Sequence, residues 1–137
     1  MDERPIGMFD SGFGGLTVAR ALIDLAPTEH VVYVGDTGRY PYGPRSLHEV
    51  RAFAGQISRW LIDEHDVKLI VVACNTASAA GLAALCATLP VPVVGVIDPG
   101  ARALLKASVG DIVDLRTPAG REQIEVIAIS YERPTAA

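Results

Sequence analysis

In the stretch VVACNTASAA, Val71 to Ala80, a solid apolar run passes through one cysteine into two polar residues and then into small helix formers. Cys74 therefore falls where a strand yields to a helix. The unpaired amides and the dipole of a helix start favour negative charge, so a thiolate is stabilised there. Asn75 and Thr76 beside it supply hydrogen-bond donors suited to a bound carboxylate. A cysteine in an apolar segment is by default a buried structural residue. A place at a crevice edge, flanked by polar groups, argues for chemistry instead. Cys86 reads differently: it shares one helical face with Leu82, Leu85 and Leu89 and is expected in the core.

A second candidate is DSGFGG, Asp10 to Gly15, a glycine-rich turn entering a helix. Such a loop can bring backbone N–H groups to an anion, or can simply be a tight turn that lets helix and strand pack closely. A dinucleotide fingerprint would need glycine at position 17, where Thr17 stands, and no Gly-Lys-Ser/Thr follows, so both phosphate motifs fail. Asp10 adds a carboxylate that could orient an ammonium group or assist proton transfer. His30 and His65 lie before strands or late in helices, at the opposite edge. His48 falls within a capping box, and Arg39, Arg45 and Arg51 read as a solvated surface that could attract a carboxylate.

The elements that must position these residues follow from periodicity. Ile6–Phe9, Val31–Val34, Leu69–Ala73 and Pro92–Val96 are short, continuously apolar runs, each read as a strand. Between them stand helical patterns. Leu16, Ala19, Leu22 and Ile23 form one face. Val50, Phe53, Ile57, Trp60 and Leu61 form another, opened by the capping box Ser46-Leu-His-Glu49. A third helix runs from Ala77 to Leu89, and a short one from Ala101 to Ala107. Apolar strands alternating with helices imply an α/β fold, a four-stranded parallel sheet with helices on both faces. Right-handed crossovers place every strand's C-terminal end on one edge, where ligands of open α/β sheets bind. Asp10-Ser11, Asp36-Thr37, Cys74-Asn75-Thr76 and Asp98 are thus gathered by topology.

From Val109 the pattern changes. Val113 and Leu115 alternate with Asp114 and Arg116, Ile124 and Val126 with Glu125 and Ile127, and Thr117-Pro-Ala-Gly120 is turn chemistry. The expectation is a C-terminal antiparallel β-hairpin, giving two regions, 1–107 and 108–137.

Composition sets the boundaries of function. Of 137 residues, 50% are hydrophobic and 20% charged, so a packed core is within reach. A net charge of −4 argues against a nucleic-acid or membrane-surface binder. The start, MDERPIG, does not read as a signal peptide, and no apolar run approaches the ~20 residues of a membrane helix. Two cysteines without metal-type spacing suggest reduced thiols in a cytoplasm.

IGMFDSGFGGLTV, GDTGRYPYG, VVACNTASA and PVVGVIDPGARALL, in that order, resemble the successive signatures of the glutamate racemase family. The resemblance covers residues 1 to about 107. It implies a cofactor-independent isomerase that interconverts L- and D-glutamate for cell-wall synthesis, with an active site between two similar α/β domains. Carried onto this chain, Cys74 is one of two acid–base thiols, joined by Asp10. Asp10, Ser11, Tyr42, Gly43, Asn75 and Thr76 fall on substrate-contacting positions. The family's second thiol stands in a Cys-Thr-His motif that this sequence does not contain. Cys86 cannot replace it, lying twelve residues along the same helix from Cys74, about 18 Å away. The family's first domain is completed by chain from the second half, so apolar surface left open would invite self-association.

The tail, with RALLKASVGDIVDL, a Pro-Ala-Gly turn and EVIAI, resembles the end of the C-terminal domain of Gre-type transcription elongation factors. That family's domain docks on RNA polymerase. Only a piece of it is present, and an incomplete domain rarely keeps its binding surface, so polymerase contact is not expected. Both patterns can be read between Pro99 and Gly110, which places a junction there, as in a fused or recombined chain. The readings to be weighed are thus a racemase half-site for glutamate, a noncatalytic anion- or nucleotide-binding module using DSGFGG and Asp36, and a polymerase-interacting fusion.

Overall fold

The computed structural model describes residues 2–96, 112–117 and 120–125. The chain divides into two units, residues 1–97 and 98–137. The first unit runs β1 (Ile6–Asp10), α1 (Leu16–Leu25), β2 (Val31–Gly35), α2 (Leu47–His65), β3 (Leu69–Val72), α3 (Asn75–Thr88) and β4 (Val93–Gly95). Its four strands are all parallel, in the order β2-β1-β3-β4. The chain starts at an inner strand, steps outward to β2, then crosses back over β1 to β3 and β4. With right-handed crossovers, that reversal sends α1 to one face and α2 and α3 to the other.

The core confirms the two faces. Met8, Ala19 and Ala73 are buried on the α1 side. Phe9, Val50, Ala54, Ile57, Leu61, Ile70, Val72 and Leu85 are buried on the α2–α3 side. β1 is buried at every residue because it is flanked by β2 and β3 and covered on both sides, whereas the edge strand β2 is only half-buried throughout. α2 starts where its capping box places it. The Ser46 hydroxyl accepts the Glu49 amide at 3.2 Å and the Glu49 carboxylate accepts the Ser46 amide at 3.1 Å. It ends at Asp66, whose φ of 47° breaks the helical path.

Several expected core residues are outside. Leu16, Ile23 and Trp60 are each about half-exposed. The buried stripe of α2 is Val50, Ala54, Ile57 and Leu61. Trp60 sits beside that stripe, at a groove with Val34 of the edge strand, and meets His65 edge-on at 4.7 Å. Cys86 is also exposed, not in the core, and its thiol lies 3.6 Å from the Val93 carbonyl oxygen. The buried side of α3 is Ala77, Ser78, Ala80, Gly81 and Leu85. Cys86 faces the three-residue edge strand β4, which is too short to cover it.

In the second unit, β5 (Ile112–Thr117) and β6 (Gly120–Glu125) pair antiparallel, from Ile112 opposite Glu125 to Thr117 opposite Gly120. This is the pairing that the alternation and the Thr117–Gly120 turn predict. The helix expected over 101–107 and the junction between 99 and 110 lie outside the described residues, as does Asp98.

Candidate active site

β1 and β3 are neighbours whose following helices leave on opposite faces, so the loops beyond them diverge and open a crevice. Asp10 is the last residue of β1 and Cys74 is the N-cap of α3. The ladder continues past the strand ends, with the Ala73 amide on the Phe9 carbonyl at 2.8 Å and the Asp36 amide on the Asp10 carbonyl at 2.9 Å. The ends of three adjacent strands are thereby held level. Topology brings Asp10, Asp36 and Cys74 to one edge, as the sequence implies.

Cys74 is 3% exposed. Its sulfur accepts the Ala77 amide at 3.4 Å and its carbonyl accepts the Ser78 amide at 2.9 Å, so the thiol itself caps the helix. The sulfur thus fills the place of a capping acceptor at a helix start, where unpaired amides gather. Asn75, exposed, and Thr76, half-buried, form the first turn of α3. Their amides are among those that a helix leaves without internal partners.

Asp10 is buried and turns its carboxylate back on its own loop. Oδ2 accepts the Gly12 amide at 3.2 Å and the Gly15 amide at 2.9 Å. These glycine-loop amides are therefore satisfied within the protein. Ser11 remains half-buried at the crevice. Gly15 has no room for a side chain, since a Cβ would come within 2.7 Å of the Asp10 Cβ and 2.9 Å of the Ala73 Cβ. The glycine is what lets α1 start against the sheet.

Tyr33, on β2, donates its hydroxyl to the Gly12 carbonyl at 3.2 Å. Burial, and then the nearby Asp10 and Cys74, push its phenol above the ordinary value. Sequence reading passed over this residue, because a tyrosine in an apolar strand looks like a packing residue. The signal was its polar tip.

The loop after β2 is built on side chains. Tyr42 is 1% exposed, in the same buried cluster as Cys74 and Phe9. Its hydroxyl donates to Asp36 Oδ2. Burial first, and then the hydrogen bond to Asp36 and that residue's charge, raise its phenol well above the usual tyrosine range, so it stays protonated. A ring buried and bonded in this way keeps its hydroxyl engaged within the protein. Gly43, next to it, is exposed and has open space around its Cα. Arg39 also engages Asp36 Oδ2, at 2.6 Å. Cys86 stands at the far end of α3. His48 lies in a shallow groove between α2 and α3, beside Arg51 and Arg59. Among the described residues, no His/Cys/Asp/Glu group could hold a metal ion, and no helix is long and apolar enough to cross a membrane.

Comparison with known proteins agrees with the fold. The family model "Asp/Glu/Hydantoin racemase" matches residues 14–130. The glutamate racemase of Limosilactobacillus fermentum is 57% identical over 105 residues, which is 77% of this chain and 39% of that protein. The structure of glutamate racemase from Thermus thermophilus in complex with β-chloro-D-alanine superposes with a TM-score of 0.75 at 53% identity, covering 77% of this chain and 41% of that one. The structure from Francisella tularensis in complex with D-glutamate gives 0.73 at 40% identity, over 78% of this chain and 40% of that one. This chain thus spans about two fifths of the length of the relatives it matches. On fold, crevice and family match together, it belongs to the Asp/Glu/hydantoin racemase family.

Proposed function

We propose that this chain carries the first half of a glutamate racemase site, serving the supply of D-glutamate to the cell wall. The observation that carries the reading is Cys74 at the N-cap of α3, its sulfur on the Ala77 amide, across the β1/β3 crevice from Asp10. Racemisation removes a weakly acidic proton from Cα and returns one to the opposite face. It calls for a base on each side of a planar carbanion, with donors holding the carboxylate. The Cys74 sulfur takes the Cα proton from one face. The first-turn amides and side chains of Asn75 and Thr76, with Ser11 and the Gly43 amide, supply the carboxylate donors. Asp10, held by its loop amides through Oδ2, orients the ammonium group.

The nucleotide-module reading is less well supported. The amides that would cradle a phosphate are taken by Asp10, and the Asp36 carboxylate that would meet a ribose is taken by Tyr42 and Arg39. Thermal shift separates the two. Millimolar L- or D-glutamate should raise the unfolding midpoint, Cys74→Ala and Asp10→Asn should reduce that rise, and ATP or NAD should leave it unchanged. Stabilisation by nucleotide and not by glutamate contradicts the proposal.

A further inference from the structure

We infer that Arg39 is a positioning residue for the substrate pocket, a clasp that fixes the loop from Asp36 to Ser46 so that the Tyr42–Gly43 backbone faces the crevice. The inference deepens the glutamate-site reading and rests on it for the identity of the ligand.

The guanidinium makes three different contacts. Nε donates to Asp36 Oδ2 at 2.6 Å, at the start of the loop. A terminal nitrogen donates to Gln56 Oε1 at 2.7 Å, two turns into α2. Its plane lies over the Phe53 ring, 4.1 Å from the centroid. The Arg39 carbonyl in turn accepts Arg45 Nε at 3.0 Å, near the end of the loop. One residue therefore ties the loop's start, its end and the helix that follows.

The oxygen that Arg39 grips is the one that receives the Tyr42 hydroxyl. Tyr42 packs 5.6 Å from the same Phe53 ring, and its carbonyl accepts the Arg45 amide at 3.0 Å. If Asp36 turns away, the buried hydroxyl of Tyr42 loses its acceptor, and the backbone at Gly43 is released with it. A simple surface ion pair is worth little. Arg39 differs because a planar fork meets two acceptors and a ring at once, which the point charge of lysine cannot do.

That difference supplies the test. Amide hydrogen exchange would be followed by NMR in the wild-type chain and in the Arg39→Met and Arg39→Lys variants. Glutamate affinity would be measured on the same samples. Both variants should exchange at least about tenfold faster at the hydrogen-bonded amides of Arg45 and Ser46, with residues 7 to 9 of the central strand unchanged. Both should also bind glutamate more weakly. Full rescue by lysine would overturn the inference, because charge alone would then suffice. So would unchanged exchange in Arg39→Met, or faster exchange spread evenly over the sheet, which marks a general loss of stability. Failure of the wild-type chain to bind glutamate would count against the proposed function and leave the exchange comparison to decide the clasp.

Discussion

Two loops leave the adjacent strands β1 and β2 at the edge that carries the candidate site, and they are held in opposite ways. The loop from Asp10 to Gly15 is fixed by backbone and by lack of space, with its amides on one carboxylate and Gly15 wedged between Asp10 and Ala73. The loop from Asp36 to Ser46 is fixed by side chains, with Arg39 and Tyr42 converging on Asp36 and with Phe53 beneath. Its glycines, Gly38 and Gly43, have nothing within 4 Å of a would-be Cβ. Glycine thus means different things on the two sides. In the first loop it is required by contact. In the second it leaves the backbone open toward solvent.

Alanine substitution should break the two loops apart. Gly15→Ala puts a Cβ against two other Cβ atoms, and Gly35→Ala puts one 2.6 Å from the Gly12 carbonyl oxygen, a backbone atom that cannot swing aside. Each should destabilise the fold by about 1–3 kcal/mol. Gly38→Ala and Gly43→Ala meet open space without a left-handed backbone, and each should be neutral or stabilise by roughly 0.4–1 kcal/mol through the unfolded chain. Urea unfolding of the four variants measures this. Equal effects on both loops would remove the distinction.

The side-chain loop should answer to loss of its acceptor. Asp36→Ala strands the buried Tyr42 hydroxyl and the Arg39 guanidinium, at a cost of about 1–3 kcal/mol. Chemical denaturation would show it, and a neutral result would mean that the network relaxes freely.

Alkaline pH sharpens the comparison further. Tyr42 holds its proton more tightly folded than unfolded, chiefly because it is buried and bonded to Asp36. The stability it contributes is full below the unfolded tyrosine value of about 10 and is lost as pH rises above it. Tyr42→Phe should therefore flatten the decline of the urea midpoint above pH 10. Some slope should remain, because the Tyr33 phenol is raised as well. The smallest expected effect lies where the second loop ends. Ser46→Ala removes the cap of α2 and should cost about 1 kcal/mol, read as a lower urea midpoint.

The same contrast explains what could be read in advance. The parallel sheet, the capping box and the gathering of Asp10, Asp36 and Cys74 follow from periodicity and crossover handedness, which are local or topological rules. The glycine loop was visible because glycine announces a close approach. The clasp was not. Arg39 looks like any solvated arginine until Gln56 and Phe53, 14 and more residues away, are folded beneath it. Tyr33 was hidden in the same way, since its partner Gly12 lies 21 residues off. Trp60 and Cys86 were misplaced because helical periodicity finds a face but not where the sheet stops. Both stand at edge strands, with too little sheet to cover them.

The central claim is that these residues supply proton transfer on one face of glutamate only. Circular dichroism of L- or D-glutamate incubated with the purified 137-residue chain tests it most directly, with Cys74→Ala as control. Losing one positioned acid–base group costs about 10²–10⁴-fold, and the chain spans only about two fifths of the length of the racemases it matches. The account predicts no inversion above buffer in either protein, although glutamate still binds. Sustained inversion by the wild-type chain that disappears in Cys74→Ala would contradict it, and would mean that another residue of this chain, or a second copy, provides the opposing acid.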